Sequence, residues 1–378
     1  MNVLPRLLYI IQMLPSYISS KIFKQIHSAI RAFLWNNKRP RMELQKLQLP
    51  IQKGGLGIPN FQFYHWASQL KFVSEWVKNG LFCFPDLEGI GLDTAQLEYL
   101  PFLCLEKVYA NIKNNYILKN ICKSLSAIRK HFSIDKYSFS APIANNPDFQ
   151  LTCTDSGFKE WREVGITKIS DLYVDDFIKS FQQLKNEFNL PQAHFFRYLQ
   201  IRSYLNSITY YKNGVKNSIL DNIFIKAVVL KDKIITNIYD HINMNTGVVI
   251  NIKKSWEYDF GVKLDDQQWI KVLNDAKQIT KSNKSHEVQY KIINKMHVTP
   301  VTRSKYETCT TLCFKCKKEA GTYFHLMWSC PIILSFWSSV LQETEKYLGV
   351  KVPEDPKACI LAYIPHAPTR QFSINIQN

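Results

Sequence analysis

The chain has 378 residues, of which 46% are hydrophobic and 13% aromatic, and it contains only 13 glycines. This composition excludes an intrinsically disordered chain and a glycine-rich β architecture, and the length suggests two or three domains. The formal net charge of +17 indicates a polyanionic partner, with nucleic acid the first candidate and an acidic membrane surface the second. The alternative is a soluble basic protein that has no such partner.

The apolar start of the chain and its cysteines indicate an intracellular protein. "MNVLPRLLYIIQMLP" is interrupted by Pro5 and Arg6, and no clean cleavage site follows, which argues against a signal peptide. No apolar run reaches the roughly 18 residues that a membrane helix needs. The nine cysteines do not form the pattern of a secreted disulfide framework. We expect a protein of the cytoplasm or nucleus without a membrane partner.

Residues 16–35 have the spacing of an amphipathic helix, which Ser16 or Ser19 could cap. The helix should end near "NNKRPR", because proline cannot lie inside a helix. The predicted buried stripe consists of Ile18, Ile22, Ile26, Ile30 and Phe33, and the basic side chains off that stripe are Lys21, Lys24, His27 and Arg31.

The next segments differ in how clearly they predict structure. "KGGLGIPNF" predicts a turn in which Gly54 and Gly55 allow a close approach of the backbone. "FQFYHWASQLKFVSEWV" is typical of a buried, aromatic-rich helix that ends at Gly80. Residues 81–155 are less regular, residues 158–245 predict several helices, and the proline-containing tail after about residue 350 is expected to fray.

The stretch "DLYVDDFIKSF" (171–181) contains Tyr-x-Asp-Asp, the string that carries the catalytic aspartates of reverse transcriptases. In such a polymerase the string lies on a β-hairpin, and a third carboxylate completes a two-metal site. Here the apolar residues that follow have helical spacing. We therefore expect Asp171 to cap a helix, Asp175 and Asp176 to lie in its first turn, and the match to be accidental.

The strongest chemical motif is "CFKCKKEAGTYFHLMWSC" (313–330). Cys313-x2-Cys316 is a knuckle that holds two thiolates at one ion, and His325-x4-Cys330 can return two further ligands to it. Four protein ligands imply structural zinc, and thiolates favour zinc over magnesium or calcium. Cys309 is a possible substitute ligand.

Cations and aromatic residues surround this motif. Lys315, Lys317 and Lys318 could hold phosphates or stabilise the thiolates. The aromatic side chains could stack on unpaired bases, but such residues more often form the small core of a zinc module. These residues are Phe314, Tyr323, Phe324 and Trp328.

Seven blocks in one order resemble the carboxy-terminal part of the reverse transcriptase polyprotein of LINE-type non-LTR retrotransposons. They are "MNVLPRLLYIIQMLP", "FLWNNKRPR", "GGLGIPNF-x-FYHWA", "FFRYLQIRSYL", "SWEYDFG", "KMHVTP" and "CFKC…HLMWSCPIILSFW". The likeness extends to about Val340. It implies a mainly α fold with a helical thumb-like bundle, a further helical region and a small Cys3His zinc module.

The resemblance also implies a domain organisation. It assigns residues 1–80 to a thumb-like domain, 81–155 to a linking region and 156–300 to a helical basic region. Residues 301–345 would form the zinc-binding module and 346–378 the tail. No fingers, palm or endonuclease precede these blocks in this chain, so we expect a truncated element without polymerase activity of its own.

The function implied is the binding of RNA and RNA–DNA hybrid during reverse transcription, with an intact reverse transcriptase copy as a further possible partner. The predicted contacts with nucleic acid are Lys21, Lys24, Arg31, Lys38, Arg39, Arg41, Gly54, Gly55, Lys315 and Lys317. The alternatives are a protein-interaction scaffold without affinity for nucleic acid, and a relic that does not fold stably. An exposed apolar surface at Leu4, Leu7, Leu8 and Ile11 would favour the relic.

Overall fold

A computed structural model of the chain describes residues 3–13, 15–79, 99–103, 105, 115–229, 232–278, 282–349, 351 and 353–363. As predicted, the fold is mainly α-helical. In chain order the α-helices are α1 (Val3–Met13), α2 (Ser20–Trp35), α3 (Leu44–Gln48), α4 (Phe61–Asn79), α5 (Tyr116–His131), α6 (Leu151–Thr154), α7 (Gly157–Glu163), α8 (Phe181–Phe188), α9 (Phe195–Ser207), α10 (Thr209–Lys212), α11 (Ile219–Val229), α12 (Ile234–Met244), α13 (Ile252–Phe260), α14 (Asp266–Gln278), α15 (Asn283–Ile293), α16 (Pro300–Arg303), α17 (Pro331–Leu348) and α18 (Pro356–Leu361). Strands β1 (Tyr173–Val174) and β2 (Phe177–Ile178), 3-10 segments at Ile51–Lys53, Leu100–Phe102, Ile169–Leu172 and Gln192–His194, and a π-helical turn at His325–Ser329 complete the described elements.

The chain divides into two compact units. Unit 1 comprises Met1–Asn36 and Pro59–Gly247, and unit 2 comprises Asn37–Ile58 and Val248–Asn378. The chain passes from unit 1 to unit 2 through Asn36 and Asn37, whose φ angles of 48° and 57° are left-handed. Asparagine tolerates this conformation better than most residues, and here it ends α2. Segment 37–58, which the resemblance assigns to a thumb-like domain of residues 1–80, therefore belongs to unit 2.

Unit 1 is organised around α4, the aromatic-rich helix that the sequence predicted. Helices α1, α2, α5, α11 and α12 pack against it. Its side chains Leu70, Val73 and Trp76 are fully buried. At its N-terminal end the Tyr64 and Tyr239 rings stack with centroids 3.8 Å apart, and the Tyr239 hydroxyl accepts the backbone N–H of Asn60 at 3.2 Å. This pairing fixes α12 along α4.

Helix α2 forms where it was predicted, but its most buried side chain lies outside the predicted stripe. Phe23 is its buried side chain, and its ring meets the His65 ring of α4 edge-on at 5.5 Å. Ile22 and Phe33, two members of the predicted buried stripe, are 47% and 86% exposed. Ile18, Ile26 and Ile30 are half-buried, so the predicted stripe is confirmed only in part: the buried face is centred on Phe23 and leaves Ile22 and Phe33 in solvent.

The exposed apolar surface at Leu4, Leu7, Leu8 and Ile11 that would favour a relic is absent at the two of these residues whose side chains are described. Ile11 is buried and Leu8 is half-buried, while the side chains of Leu4 and Leu7 lie outside the described part. Among the described side chains of α1, the large apolar ones that are exposed are Tyr9, Ile10 and Met13.

The stretch from Tyr173 to Ile178 is a β-hairpin rather than a helix. Tyr173 pairs with Ile178 and Val174 with Phe177 in an antiparallel register, so Asp175 and Asp176 form the turn, and Asp175 has a φ of 52°. Helix α8 begins only at Phe181, where Ser180 forms a capping box with Gln183. The helical assignment of Asp175 and Asp176 is therefore wrong, because the helical spacing of the following apolar residues starts after this cap.

The expectation that residues 81–155 are less regular is wrong for residues 116–131, whereas residues 132–150 contain no helix and only one isolated β-bridge residue, Pro142. Helix α5 is 16 residues long and places Leu118, Ile121 and Ile128 in the core of unit 1. Residues 80–98, 104 and 106–114 lie outside the described part of the chain.

Unit 2 has its own core around Trp256. The fully buried indole donates Nε1–H to the carbonyl of Ile293 at 2.7 Å, which joins α13 to the end of α15. The ammonium group of Lys295 lies 4.3 Å from the centre of the same ring and donates to Asp259 at 2.6 Å. A cation over an indole face is attracted by the negative potential of that face.

The C-terminal tail contributes to this second core. Ile360, Leu361 and Tyr363 are buried in it, and the Tyr363 hydroxyl accepts the backbone N–H of Asp265 at 3.0 Å. The expectation that the chain frays after residue 350 is therefore wrong for residues 353–363. Residues 364–378 lie outside the described part.

None of the described helices is both long and apolar enough to span a bilayer.

Acidification should weaken unit 1 through His65. The His65 Nε2–H donates to the Ser16 carbonyl at 2.9 Å, and burial lowers the pKa of this imidazole to about 4. Between that value and the unfolded pKa near 6.5, the unfolded chain binds a proton that the folded chain does not. The free energy of unfolding should therefore fall by up to about 3 kcal/mol as the pH falls through this window.

A His65→Gln variant keeps a donor for the Ser16 carbonyl but does not titrate. The difference in unfolding free energy between wild type and variant, read from amide exchange of residues 61–79 in denaturant, should shrink from pH 7 to pH 4.5. A difference that does not change with pH would contradict this role of His65.

Candidate metal centre

The four predicted ligands come together in unit 2. Cys313 and Cys316 lie on a tight loop whose ends are joined by a bridge between Leu312 and Ala320. His325 begins the π-helical turn His325–Ser329, and Cys330 is the N-cap residue of α17. Two chain segments, one looped and one helical, thus contribute two donors each.

The donor atoms of these four side chains all lie within 4.8 Å of one another. The Cys316 sulfur is 3.3 Å from His325 Nε2, and the Cys313 and Cys330 sulfurs are 4.0 Å apart. Cys313, His325 and Cys330 are buried and Cys316 is half-buried. The cluster could therefore hold a metal ion, and the four residues that would hold it are those predicted from the spacing.

Backbone hydrogen bonds shape the cysteine loop. The Cys313 N–H donates to the Glu319 carbonyl at 2.7 Å, and the Lys317 N–H donates to the Cys313 carbonyl at 2.9 Å. Lys317 closes the turn with a left-handed φ of 59°. Beyond the bridge, a Cβ on Gly321 would lie 2.6 Å from the Pro300 ring, so glycine lets the loop end pack against α16.

The π-helical turn explains how residues five apart can serve one ion. The Cys330 N–H donates to the His325 carbonyl at 3.0 Å, a bond from residue i+5 to residue i. In a regular α-helix, residues five apart point about 140° away from each other. The wider π turn brings them close to the same side, which is why such turns recur at functional sites.

The loop also favours the thiolate form of Cys316. Its pKa is lowered to about 6, first by the backbone N–H groups of Lys318 and Glu319 that point at the sulfur and then by the His325 and Cys313 side chains. The Cys313 sulfur accepts the Lys315 N–H at 3.4 Å. Because the thiolate is the form that binds metal, these donors prepare the loop for a cation.

Glu319 is a candidate outer partner of the site that the sequence motif did not predict. Its carboxylate lies 3.1 Å from His325 Nδ1, and the Ser329 hydroxyl lies 3.4 Å from the same nitrogen. A carboxylate at Nδ1 holds the proton there and leaves Nε2 free for the metal. The only available signal was an acidic residue inside the cysteine loop, because no fixed spacing defines such an outer partner.

Cys309, the proposed substitute ligand, is exposed and does not belong to the group of four.

The aromatic residues of the motif differ in whether they pack against the protein or are exposed to solvent. Tyr323 and Trp328 pack against the core of unit 2, and the Phe324 ring meets Phe260 edge-on at 6.0 Å. Phe314 remains 63% exposed.

The basic strap at residues 38–41 contacts the segment of unit 2 that precedes the cysteine loop. Lys38, Arg39 and Arg41 are exposed, and the Arg39 guanidinium is 5.5 Å from the ring centre of Tyr306. The pKa of His297 is lowered by burial first and then by the positive charges of Lys291 and Arg41. The strap is thus held next to residues 297–306, which precede the cysteine loop.

The other predicted basic contacts are exposed as well. Lys315 and Lys317 project from the cysteine loop in unit 2, while Lys21, Lys24 and Arg31 lie on α2 in unit 1. Within the described part of the chain, Lys38, Arg39, Arg41, Lys315, Lys317 and Lys318 form no ion pair with a carboxylate.

Gly54 and Gly55 have a different role from the one predicted. Both are buried, and the carbonyl of Gly54 accepts the Tyr290 hydroxyl at 3.2 Å. A Cβ on Gly55 would overlap the Leu49 carbonyl, so the close approach that glycine allows is to the chain's own backbone. A contact between these glycines and nucleic acid does not fit this burial.

Asp175 and Asp176 do not assemble a polymerase-type site with other described residues. The Asp176 carboxylate accepts the Val215 N–H at 3.0 Å and abuts Gly214. Neither aspartate belongs to a group of three or more potential metal ligands in the described ranges. The hairpin therefore resembles the polymerase string in shape, while the Asp176 side chain stabilises a neighbouring loop.

No protein-family model matches the chain.

Replacement of Glu319 by Gln should weaken metal binding without removing a ligand. Loss of an outer carboxylate typically lowers metal affinity by about 10- to 100-fold, because the imidazole tautomer and orientation are no longer held. Cobalt(II) is a suitable probe, since its thiolate charge-transfer absorption reports occupancy during competition with a chelator. Glu307→Gln, at an exposed carboxylate paired with Arg303, is the matched control. Equal affinities for all three proteins would contradict the role of Glu319.

Proposed function

We propose that the chain is a nucleic-acid-binding part of a LINE-type reverse transcriptase and that it holds RNA and RNA–DNA hybrid. The observation that carries the proposal is the Arg39–Tyr306 contact, which holds the basic strap beside the module that bears the cysteine loop. Cations of both segments are exposed and unpaired by carboxylates in the described residues. The resemblance in seven ordered sequence blocks supports the same function.

The chemistry of the surface suits a phosphate backbone. Arginine and lysine side chains that carry no internal ion pair can each neutralise a phosphate and release a condensed counterion. Contacts of this kind position a nucleic acid without reading its sequence. The strap and the loop lysines would therefore hold the strand, while Lys21, Lys24 and Arg31 offer a second basic face on unit 1.

The ion that we propose for the cluster is structural zinc. Tetrahedral zinc with sulfur ligands at about 2.3 Å places two sulfurs about 3.8 Å apart and a sulfur and a nitrogen about 3.5 Å apart. The distances here are 4.0 Å and 3.3 Å, respectively. Three sulfurs and one imidazole are also the donor set that selects zinc over magnesium or calcium. Four protein ligands leave no open position for catalysis.

One observation favours a second function, nucleotide polymerisation at the Tyr173–Ile178 hairpin. The two aspartates form the turn of a true hairpin, as they do in polymerases. The bond from Val215 to Asp176 argues against it, because that carboxylate is already engaged. Magnesium-dependent extension of a primer would support this second function over the first.

Cys313→Ser or His325→Ala should abolish stoichiometric zinc in the purified protein. Removal of one of four ligands leaves the site incomplete, and a structural ion stabilises mainly the chain around it. Protection against amide exchange should therefore fall in residues 311–331 and stay unchanged in α4. Cys309→Ser, at an exposed cysteine outside the cluster, should retain zinc. Undiminished zinc in the first two variants, by elemental analysis, would overturn the ligand assignment.

Reversal of the strap to glutamate at Lys38, Arg39 and Arg41 should weaken binding of a labelled RNA–DNA hybrid equally across sequences. The slope of log affinity against log salt should flatten by about 2 to 3, since each lost phosphate contact contributes about 0.7 to 0.9.

The matched control reverses Lys263, Lys271 and Lys351, three exposed lysines of unit 2, and makes the same change in net charge. Equal loss in both triple variants would show that overall charge, not the strap, controls binding. Absence of wild-type binding at low salt would instead favour a protein-interaction scaffold.

A further inference from the structure

Phe314 is the one aromatic side chain of the cysteine loop, and it points into solvent. It lies between the two loop ligands Cys313 and Cys316 and is 63% exposed. A large aromatic ring that stays exposed does not contribute the favourable free energy that its burial would give.

Packing of the module does not require this ring. The motif's other aromatic side chains contact residues of unit 2. The Tyr323 hydroxyl donates to the Ile292 carbonyl at 3.2 Å, and the Trp328 and Trp337 rings lie 5.9 Å apart. Among the described residues, Phe314 has no such ring partner. Its position on the surface therefore calls for a partner outside the module.

The ring is presented on a rigid support. The backbone N–H of Lys315 donates to the Cys313 sulfur, and the Lys317 N–H donates to the Cys313 carbonyl. A rigid ring loses little conformational entropy when it binds, which favours a stacking partner.

The surroundings of Phe314 indicate the chemistry of that partner. Lys315, Lys317 and Lys318 follow it on the same loop and are exposed, while the loop's acidic side chain, Glu319, is turned to His325. The surface area of one ring among cations is far smaller than the roughly 800 Å² that each partner buries in a stable protein interface. A flat apolar group next to a phosphate fits the exposed ring and the neighbouring lysines. An unpaired nucleotide in a single strand provides both groups.

We propose that Phe314 stacks on an unpaired base, so that the cysteine loop binds single-stranded nucleic acid in preference to duplex. This inference rests on the proposed nucleic-acid function and names the form of ligand that the loop selects. The lysines hold the flanking phosphates of the strand. A duplex offers the same phosphates, but its base faces are covered by neighbouring bases, so it cannot use the ring.

The test compares wild type, Phe314→Ala, Phe314→Trp and a Lys315→Gln/Lys317→Gln double variant. The probes are labelled single-stranded oligouridylate, its deoxy counterpart, and a blunt RNA duplex with the same number of phosphates, each over a series of salt concentrations. Zinc content measured on every variant confirms that the loop is intact.

Phe314→Ala should lose about 5- to 100-fold in affinity for the single strands, the range for one stacked base, with an unchanged salt slope. Its affinity for the duplex should equal that of wild type, and Phe314→Trp should restore single-strand binding. The lysine double variant should instead flatten the salt slope on both kinds of probe. The two single-stranded probes show whether RNA or DNA is preferred.

Equal loss on single strand and duplex, no loss at all, or loss that Trp does not restore would overturn the stacking role. Salt-sensitive binding by wild type in those cases would leave the proposed function standing. Failure of wild type to bind any probe at low salt would overturn both.

Discussion

Three thiols and an imidazole with donor atoms within 4.8 Å of one another impose the main constraint on unit 2. Thiolates at such distances repel one another unless a cation neutralises them. The local structure serves this convergence: a π-helical turn brings His325 and Cys330 to one side, backbone N–H groups favour the Cys316 thiolate, and Glu319 orients the imidazole. The loop that carries the exposed lysines and Phe314 owes its shape to the same geometry.

The second organising feature is that segment 37–58 belongs to unit 2, although the chain on either side of it belongs to unit 1. This short piece of chain leaves α2 at two left-handed asparagines and contributes Ile51 to the core around Trp256. It also brings the strap to Tyr306, so cations separated by more than 260 positions in the sequence belong to one unit. The basic face of α2, although adjacent to the strap in sequence, belongs to the other unit. The predicted basic contacts are therefore divided between the two units.

Several features were predictable from local patterns alone. The helical character of the chain, α4 and the four ligands follow from spacing, since apolar periodicity and Cys/His intervals are local properties. Features that depend on packing were not predictable. The face that α2 buries depends on where α4 offers His65, and the tail becomes ordered because Tyr363 reaches Asp265. The Tyr-Val-Asp-Asp stretch was misassigned because its turn is stabilised by Val215, 39 residues away.

The sequence by itself thus determined the fold class, the excess of positive charge and the identity of the four candidate ligands, because each is encoded in composition or in short intervals. Only the tertiary structure decided which glycines are buried, which aromatic residue of the 313–330 motif is exposed, and that Glu319 contacts His325. It also decided that the strap belongs with the cysteine module. These outcomes depend on contacts between distant segments, and no local pattern of residues specifies which distant surface a side chain will meet.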